Sequence, residues 1–144
     1  MRRPATCVLF LITLCLVWAA NPTPAAAQFV AHDLRCENAT NPHGVKTPNP
    51  KLSWVIDPPS VQVAYQVVVA SSEEKLKADV GDLWDSGRVK SDQKTVEYRG
   101  KALSSLQRCY WKVRTWGSYY SPTPYSEPAN WEMGMLAFPE PEAK

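Results

Sequence analysis

Five carboxylates in this 144-residue sequence, Asp82, Asp85, Asp92, Glu97 and Glu132, are of the type that performs general acid and base chemistry. Cleaving an acetal requires two of them about 5–9 Å apart, one protonated and one ionised. Each also has a plainer reading. The aspartates stand among Gly, Ser and Lys as turn formers, and the glutamates fall on the outward positions of extended segments. Nucleophilic chemistry has weaker support. Serines are abundant, but neither His32 nor His43 stands in a recognisable constellation with one, and there is no Gly-x-Ser-x-Gly elbow or Gly-rich phosphate loop. The two histidines are not spaced as a zinc pair, so the expected catalytic, cofactor and metal sets are all empty.

Thiol chemistry depends on the compartment. Arg2 and Arg3 precede the apolar run Cys7 to Ala20, and Ala25-Ala26-Ala27 supplies small residues before Gln28. That order predicts a signal peptide over residues 1–27. The run is shorter than the roughly 20 apolar residues that span a bilayer. The expected product is a secreted protein, periplasmic or extracellular, with no membrane contact after cleavage. Residues 28–144 retain no net charge once Arg2 and Arg3 are lost from a total of +2, which leaves no basic footprint for nucleic acid. Of four cysteines, Cys36 and Cys109 remain. They form either a disulfide or two buried free thiols; spacing does not decide between these.

The remaining chemistry is recognition. Arg108 to Trp116 reads Arg-Cys-Tyr-Trp-Lys-Val-Arg-Thr-Trp, the longest alternating run in the chain. It predicts a half-buried strand with Cys109, Trp111 and Val113 inward and Tyr110, Lys112, Arg114 and Trp116 outward. Tyr110 and Trp116, with Tyr119, Tyr120 and Tyr125 in the following loop, then form an aromatic face suited either to stacking on sugars or to contact with a neighbouring domain.

Six further segments are of strand length, each bounded by turn residues: His32 to Glu37, Lys51 to Ile56, Ala64 to Ala70, Leu83 to Gly87, Lys94 to Arg99 and Ala129 to Gly134. Leu52, Trp54 and Ile56 share one side of the second, and Asp57-Pro58-Pro59 ends it. The single helical signal is Ser71-Ser72-Glu73-Glu74 before Lys75-Leu76-Lys77-Ala78, with Gly81 as its stop. Seven short strands and almost no helix predict an all-β, seven-stranded antiparallel β-sandwich of immunoglobulin type over residues 28–136. Residues 137–144, rich in proline and glutamate, read as a linker or frayed tail.

The motifs also have a familiar order. Leu52-Ser53-Trp54 with Asp57-Pro58-Pro59 resembles the second strand of fibronectin type III modules. Leu34-Arg35-Cys36-Glu37, Asn41-Pro42-His43-Gly44, Thr47 to Trp54, Ala64 to Ser72, Leu83 to Ser91, Tyr110 to Arg114 and Trp131 to Gly134 together resemble the N-terminal module of bacterial α-L-rhamnosidases, from about Leu34 to Leu136. The resemblance implies a non-catalytic accessory domain whose partners are the catalytic barrel and other domains of such an enzyme, and through them rhamnose-containing glycans. The alternative is a free-standing secreted module that binds a carbohydrate or a protein.

Two positions depart from the family. Cys109 stands where a tyrosine usually pins the preceding connection, and Leu106 where glycine is common, which predicts a rearranged turn. The resemblance covers the accessory module and none of the acidic catalytic residues, so the sequence is expected to be a fragment without its barrel.

Overall fold

The computed structural model describes residues 30–58, 60–118 and 121–137. The leader expected over residues 1–27, the tail beyond Ala137, and Tyr119 and Tyr120 lie outside the described residues.

Eight strands and one short helix follow in the order β1 His32–Cys36, β2 Lys51–Val55, β3 Ala64–Ala70, α1 Glu73–Lys77, β4 Trp84–Asp85, β5 Val89–Lys90, β6 Thr95–Glu97, β7 Arg108–Trp116 and β8 Ala129–Glu132. One sheet has the order β1-β2-β6. The other has the order β4-β3-β7-β8, with β5 also paired to β3, and every pairing is antiparallel. This is the antiparallel sandwich that the alternation predicts, with one strand more than the seven read from sequence. The extra strand is part of the same edge. The Ser86 hydroxyl takes the Val67 N–H at 2.8 Å, and Gly87 adopts φ 60°, so the edge strand along β3 is interrupted between β4 and β5.

The longest ladder joins β3 and β7 from Ala64↔Trp116 to Ala70↔Tyr110. Between the sheets pack Leu34, Cys36, Leu52 and Trp54 from one side and Val67, Val69, Cys109, Trp111, Val113 and Trp131 from the other. Period-two alternation places these side chains on one face of each strand, and their burial is the main stabilising term. Trp54, Trp111 and Trp131 are core residues, in keeping with the facing read from the strand patterns.

The other face of β7 departs from expectation. Lys112 and Trp116 are buried as well, because α1 and the 121–128 segment cover this side of the sheet. Leu76 of α1 packs with Val68 and Ala70 of β3. The central strand is therefore buried on both faces.

Ser72 is the N-cap of α1, its hydroxyl accepting the Lys75 N–H, with Glu73 and Glu74 in the first turn at the positive end of the helix dipole. The capping serine is thus one residue later than the Ser71 to Glu74 spacing suggests. The helix also ends before the glycine expected to stop it. Asp79 turns left-handed at φ 58°, and Val80 N–H and Asp79 N–H close back onto the carbonyls of Lys75 and Leu76. Gly81 has a different role: a Cβ there would collide with the carbonyl oxygen of Trp84.

The two positions that depart from the rhamnosidase pattern both lie at or near the start of β7. Tyr98, just after β6, donates its hydroxyl to the Lys101 carbonyl at 2.7 Å and so ties this connection, while Cys109 is a buried thiol. At Leu106 the leucine itself takes the left-handed conformation at φ 61°.

Candidate functional site

The outer face of the five-stranded sheet holds the predicted recognition residues in an altered arrangement. Lys112, Arg114 and Trp116 alternate along β7, and the chain after it returns Tyr125 across them. The Lys112 ammonium is 4.3 Å from the Tyr125 ring centroid, and the Arg114 guanidinium is 4.7 Å from the same ring. Arg114 is also 5.3 Å from the Trp116 ring, and Arg88, from the interrupted edge, is 5.1 Å from it. Cations and aromatic rings thus alternate, each contact worth about 0.5–2 kcal/mol depending on its exposure.

Hydrogen bonds hold the row in place. Arg114 Nε donates to Gln66 Oε1 at 2.9 Å, and Gln66 Nε2 donates to Asp85 Oδ1 at 2.8 Å. Lys112 Nζ pairs with Asp79 Oδ1. Burial, aided by the Asp79 and Asp85 carboxylates and opposed by Arg114, raises the Tyr125 hydroxyl above its ordinary range. Chemically, the face offers guanidinium N–H groups and covered rings. Trp116 is only 6% exposed, so it has no bare face for a sugar, and Tyr110 is half-buried against Val68, Ala70 and Leu76. The structure brings Trp116 together with Arg88 and Arg114, and through Arg114 with Tyr125 and Gln66, whereas Tyr110 packs beside α1. Arg88 and Gln66 are missing from the sequence-based set, because only the folded edge strand brings them to β7.

The carboxylates are dispersed. Asp82 precedes β4 and accepts the Ser71 N–H, the Ser71 hydroxyl and Lys75 Nζ at 2.9, 2.5 and 3.0 Å. Burial opposes its charge, but the Ser71 and Lys75 interactions outweigh that and lower its carboxyl to about 2. Glu132 on β8 is bonded to Arg108 at 2.9 Å, with His43 at 3.6 Å; these partners, Arg108 first, also hold it below its ordinary value. A general acid in glycoside hydrolysis needs the opposite shift. Asp85 is occupied by Gln66 and the Gly87 N–H, and Glu97 is exposed on β6 in the other sheet. Asp92 is exposed between β5 and β6.

Cys36 and Cys109 are free thiols, 1% and 0% exposed, facing the core from opposite sheets. Of the two alternatives left open by sequence, the structure contains the buried thiols and not the disulfide. Burial drives both up to about 12, which suppresses the reactive thiolate. A shallow groove of about 550 Å³ runs between Ala31, the β1 residues His32 and Leu34, and the returning segment Pro124, Tyr125 and Pro128. Among the described residues no group of three or more His, Cys, Asp or Glu could hold a metal ion.

Comparison with known proteins agrees with this architecture. The chain is 38% identical over 101 residues to an alpha-L-rhamnosidase of Formosa agariphila, a match covering 67% of this chain and 11% of the relative. It is 38% identical over 112 residues to an alpha-L-rhamnosidase of Streptomyces avermitilis, covering 75% of this chain and again 11% of the relative. The solved structure of the alpha-L-rhamnosidase from Dictyoglumus thermophilum superposes with a TM-score of 0.71 at 38% identity, over 76% of this chain and 13% of that one. The chain therefore spans about a tenth of the length of the relatives it matches. The family described as "Rha78A-like, N-terminal immunoglobulin domain" matches residues 31–137, about three quarters of the sequence, and the chain belongs to that family.

Proposed function

We infer that this chain is the non-catalytic accessory module of an exported, rhamnosidase-type glycoside hydrolase, and that it braces the catalytic domain that carries the chemistry. The observation that carries this reading is the coverage: most of the chain matches only about 11% of proteins that are alpha-L-rhamnosidases. The state of the carboxylates supports it, since the two with shifted values are both stabilised as anions by close partners. Export rests on the basic, apolar and small-residue order of residues 1–27.

An antibody raised against the module, applied to a blot of the producing cells and their medium, tests the reading. A secreted band several times larger than 144 residues, with rhamnosidase activity, is the expected result. A stable secreted product no longer than this chain would overturn it. The free-standing glycan-binding alternative is disfavoured by the covering of Trp116, the ring it would depend on.

A further inference from the structure

The turn between β6 and β7 contains a feature that the stability of the module does not explain. Gln107 N–H closes onto the Ser104 carbonyl at 3.3 Å, which places Leu106 at the third position of a tight turn with φ 61°. A left-handed residue at that position belongs to a type II turn, where glycine is strongly favoured. Of the six non-glycine residues with positive φ among those described, four are Asp or Asn, whose short polar side chains tolerate it. Leu106 is the one apolar member. Its side chain also gains little from the module, being 62% exposed. The position thus carries backbone strain and an exposed apolar side chain together, and relief of either would require only a glycine.

A second exposed apolar residue lies beside it. Leu106 N–H donates to the Gly134 carbonyl at 3.2 Å and Leu136 N–H to the Ser105 hydroxyl at 2.9 Å, so Met135 is held between two bonds to the turn. Met135 is 61% exposed, whereas Met133, two residues earlier, is fully buried in the core. Leu103 and Leu136 are half-buried at the edge of that core and continue the apolar surface inward. The chain leaves the sandwich here, past β8. In the family this is an N-terminal domain, and the relatives extend to roughly nine times its length. Whatever follows the module is therefore tethered next to Leu106 and Met135.

We propose that Leu106 and Met135 form the docking point for an apolar surface of the domain that follows this module in the longer polypeptide. The proposal rests on the accessory-module reading and adds the location and chemistry of the contact. Strain in the turn is retained because it projects the leucine toward that neighbour. A flexible methionine beside it adapts to the opposing surface.

Peroxide oxidation of methionine, followed by peptide mass spectrometry, tests the contact, with buried Met133 as internal reference. In the 144-residue chain Met135 oxidises rapidly and Met133 does not. The chain is then joined ahead of the remainder of the Dictyoglumus thermophilum enzyme, in place of the 13% it matches. The expected result is several-fold protection of Met135 on joining, lost again in Leu106→Gly. Leu106→Gly in the isolated chain should raise the melting temperature, since it removes strain without removing packing; a lower melting temperature would assign Leu106 to the module's own core and overturn the proposal. If Met135 stays reactive while module and remainder unfold in a single transition, the docking point is elsewhere and the bracing role stands. If Met135 stays reactive and the two parts unfold independently, both the contact and the bracing role fail.

Discussion

Replacing Trp54 is the sharpest test of the core, because three contributions to its stability can be separated. The indole is 3% exposed and its ring lies 5.2 Å from that of Tyr65 at a tilt of 59°. Its N–H donates to Gln62 Oε1 at 2.9 Å, and Gln62, also 3% exposed, donates in turn to the carbonyls of Ser91 and Gln93. Trp54→Ala removes the ring and leaves a cavity, a loss of about 3–5 kcal/mol. Trp54→Phe retains most of the apolar volume but leaves Gln62 Oε1 buried without its donor, a loss of about 1–3 kcal/mol. The aromatic pair with Tyr65, about 0.5–1.5 kcal/mol, should survive in the Phe variant and vanish in the Ala variant. Urea unfolding of the full chain, compared at constant m, measures both. Combining Trp54→Phe with Gln62→Leu should cost less than the sum of the single changes, because the orphaned acceptor is removed. A Trp54→Ala midpoint within error of the parent would refute the inward facing of β2. Strict additivity in the cycle would show that the indole–Gln62 bond contributes nothing.

Other expectations concern charge and thiols. Asp79→Ala should destabilise more than Lys112→Met: the first leaves a nearly buried ammonium without its carboxylate and puts alanine at φ 58°, while the second leaves only an exposed carboxylate; equal midpoints in urea would contradict this. The folded Asp82 carboxyl is depressed from 3.8 to about 2, so its contribution is fully present above about pH 4 and is lost as pH falls toward 2. Asp82→Asn should flatten the acid limb of the stability–pH curve in that window, and an unchanged limb would reject the Ser71 and Lys75 contacts as the cause. Cys36 and Cys109 should resist iodoacetamide at neutral pH in the folded chain and react together on denaturation; rapid labelling of the native protein, or a mass showing two hydrogens lost, would contradict the buried-thiol state.

Legibility differed between the two faces of β7. The inner face, Cys109, Trp111 and Val113, was readable because alternation in a strand reports which side chains share a surface. The outer face read as solvent-exposed from its lysine and arginine, yet Lys112 and Trp116 are buried. Lys112 is covered by Asp79, just after α1, and by Tyr125 of the following loop, and Trp116 by Arg88 and Arg114; the periodicity of β7 carries no information about such partners. Arg88 escaped notice for the same reason. It reaches Trp116 only because the edge strand is interrupted at Ser86 and Gly87.

The order of motifs from Leu34 to Gly134 and the period of two in each strand were enough to determine the sandwich, its core tryptophans and its family, since these depend on local pattern and on short connections. Tertiary structure alone decided the rest. It left Cys36 and Cys109 as free thiols, because bonding depends on a distance across two sheets. It tied the β6–β7 connection through Tyr98, because that depends on which hydroxyl reaches the Lys101 carbonyl. It also left Leu106 left-handed and exposed, because a turn's conformation follows from the strands it joins as much as from the residue that occupies it.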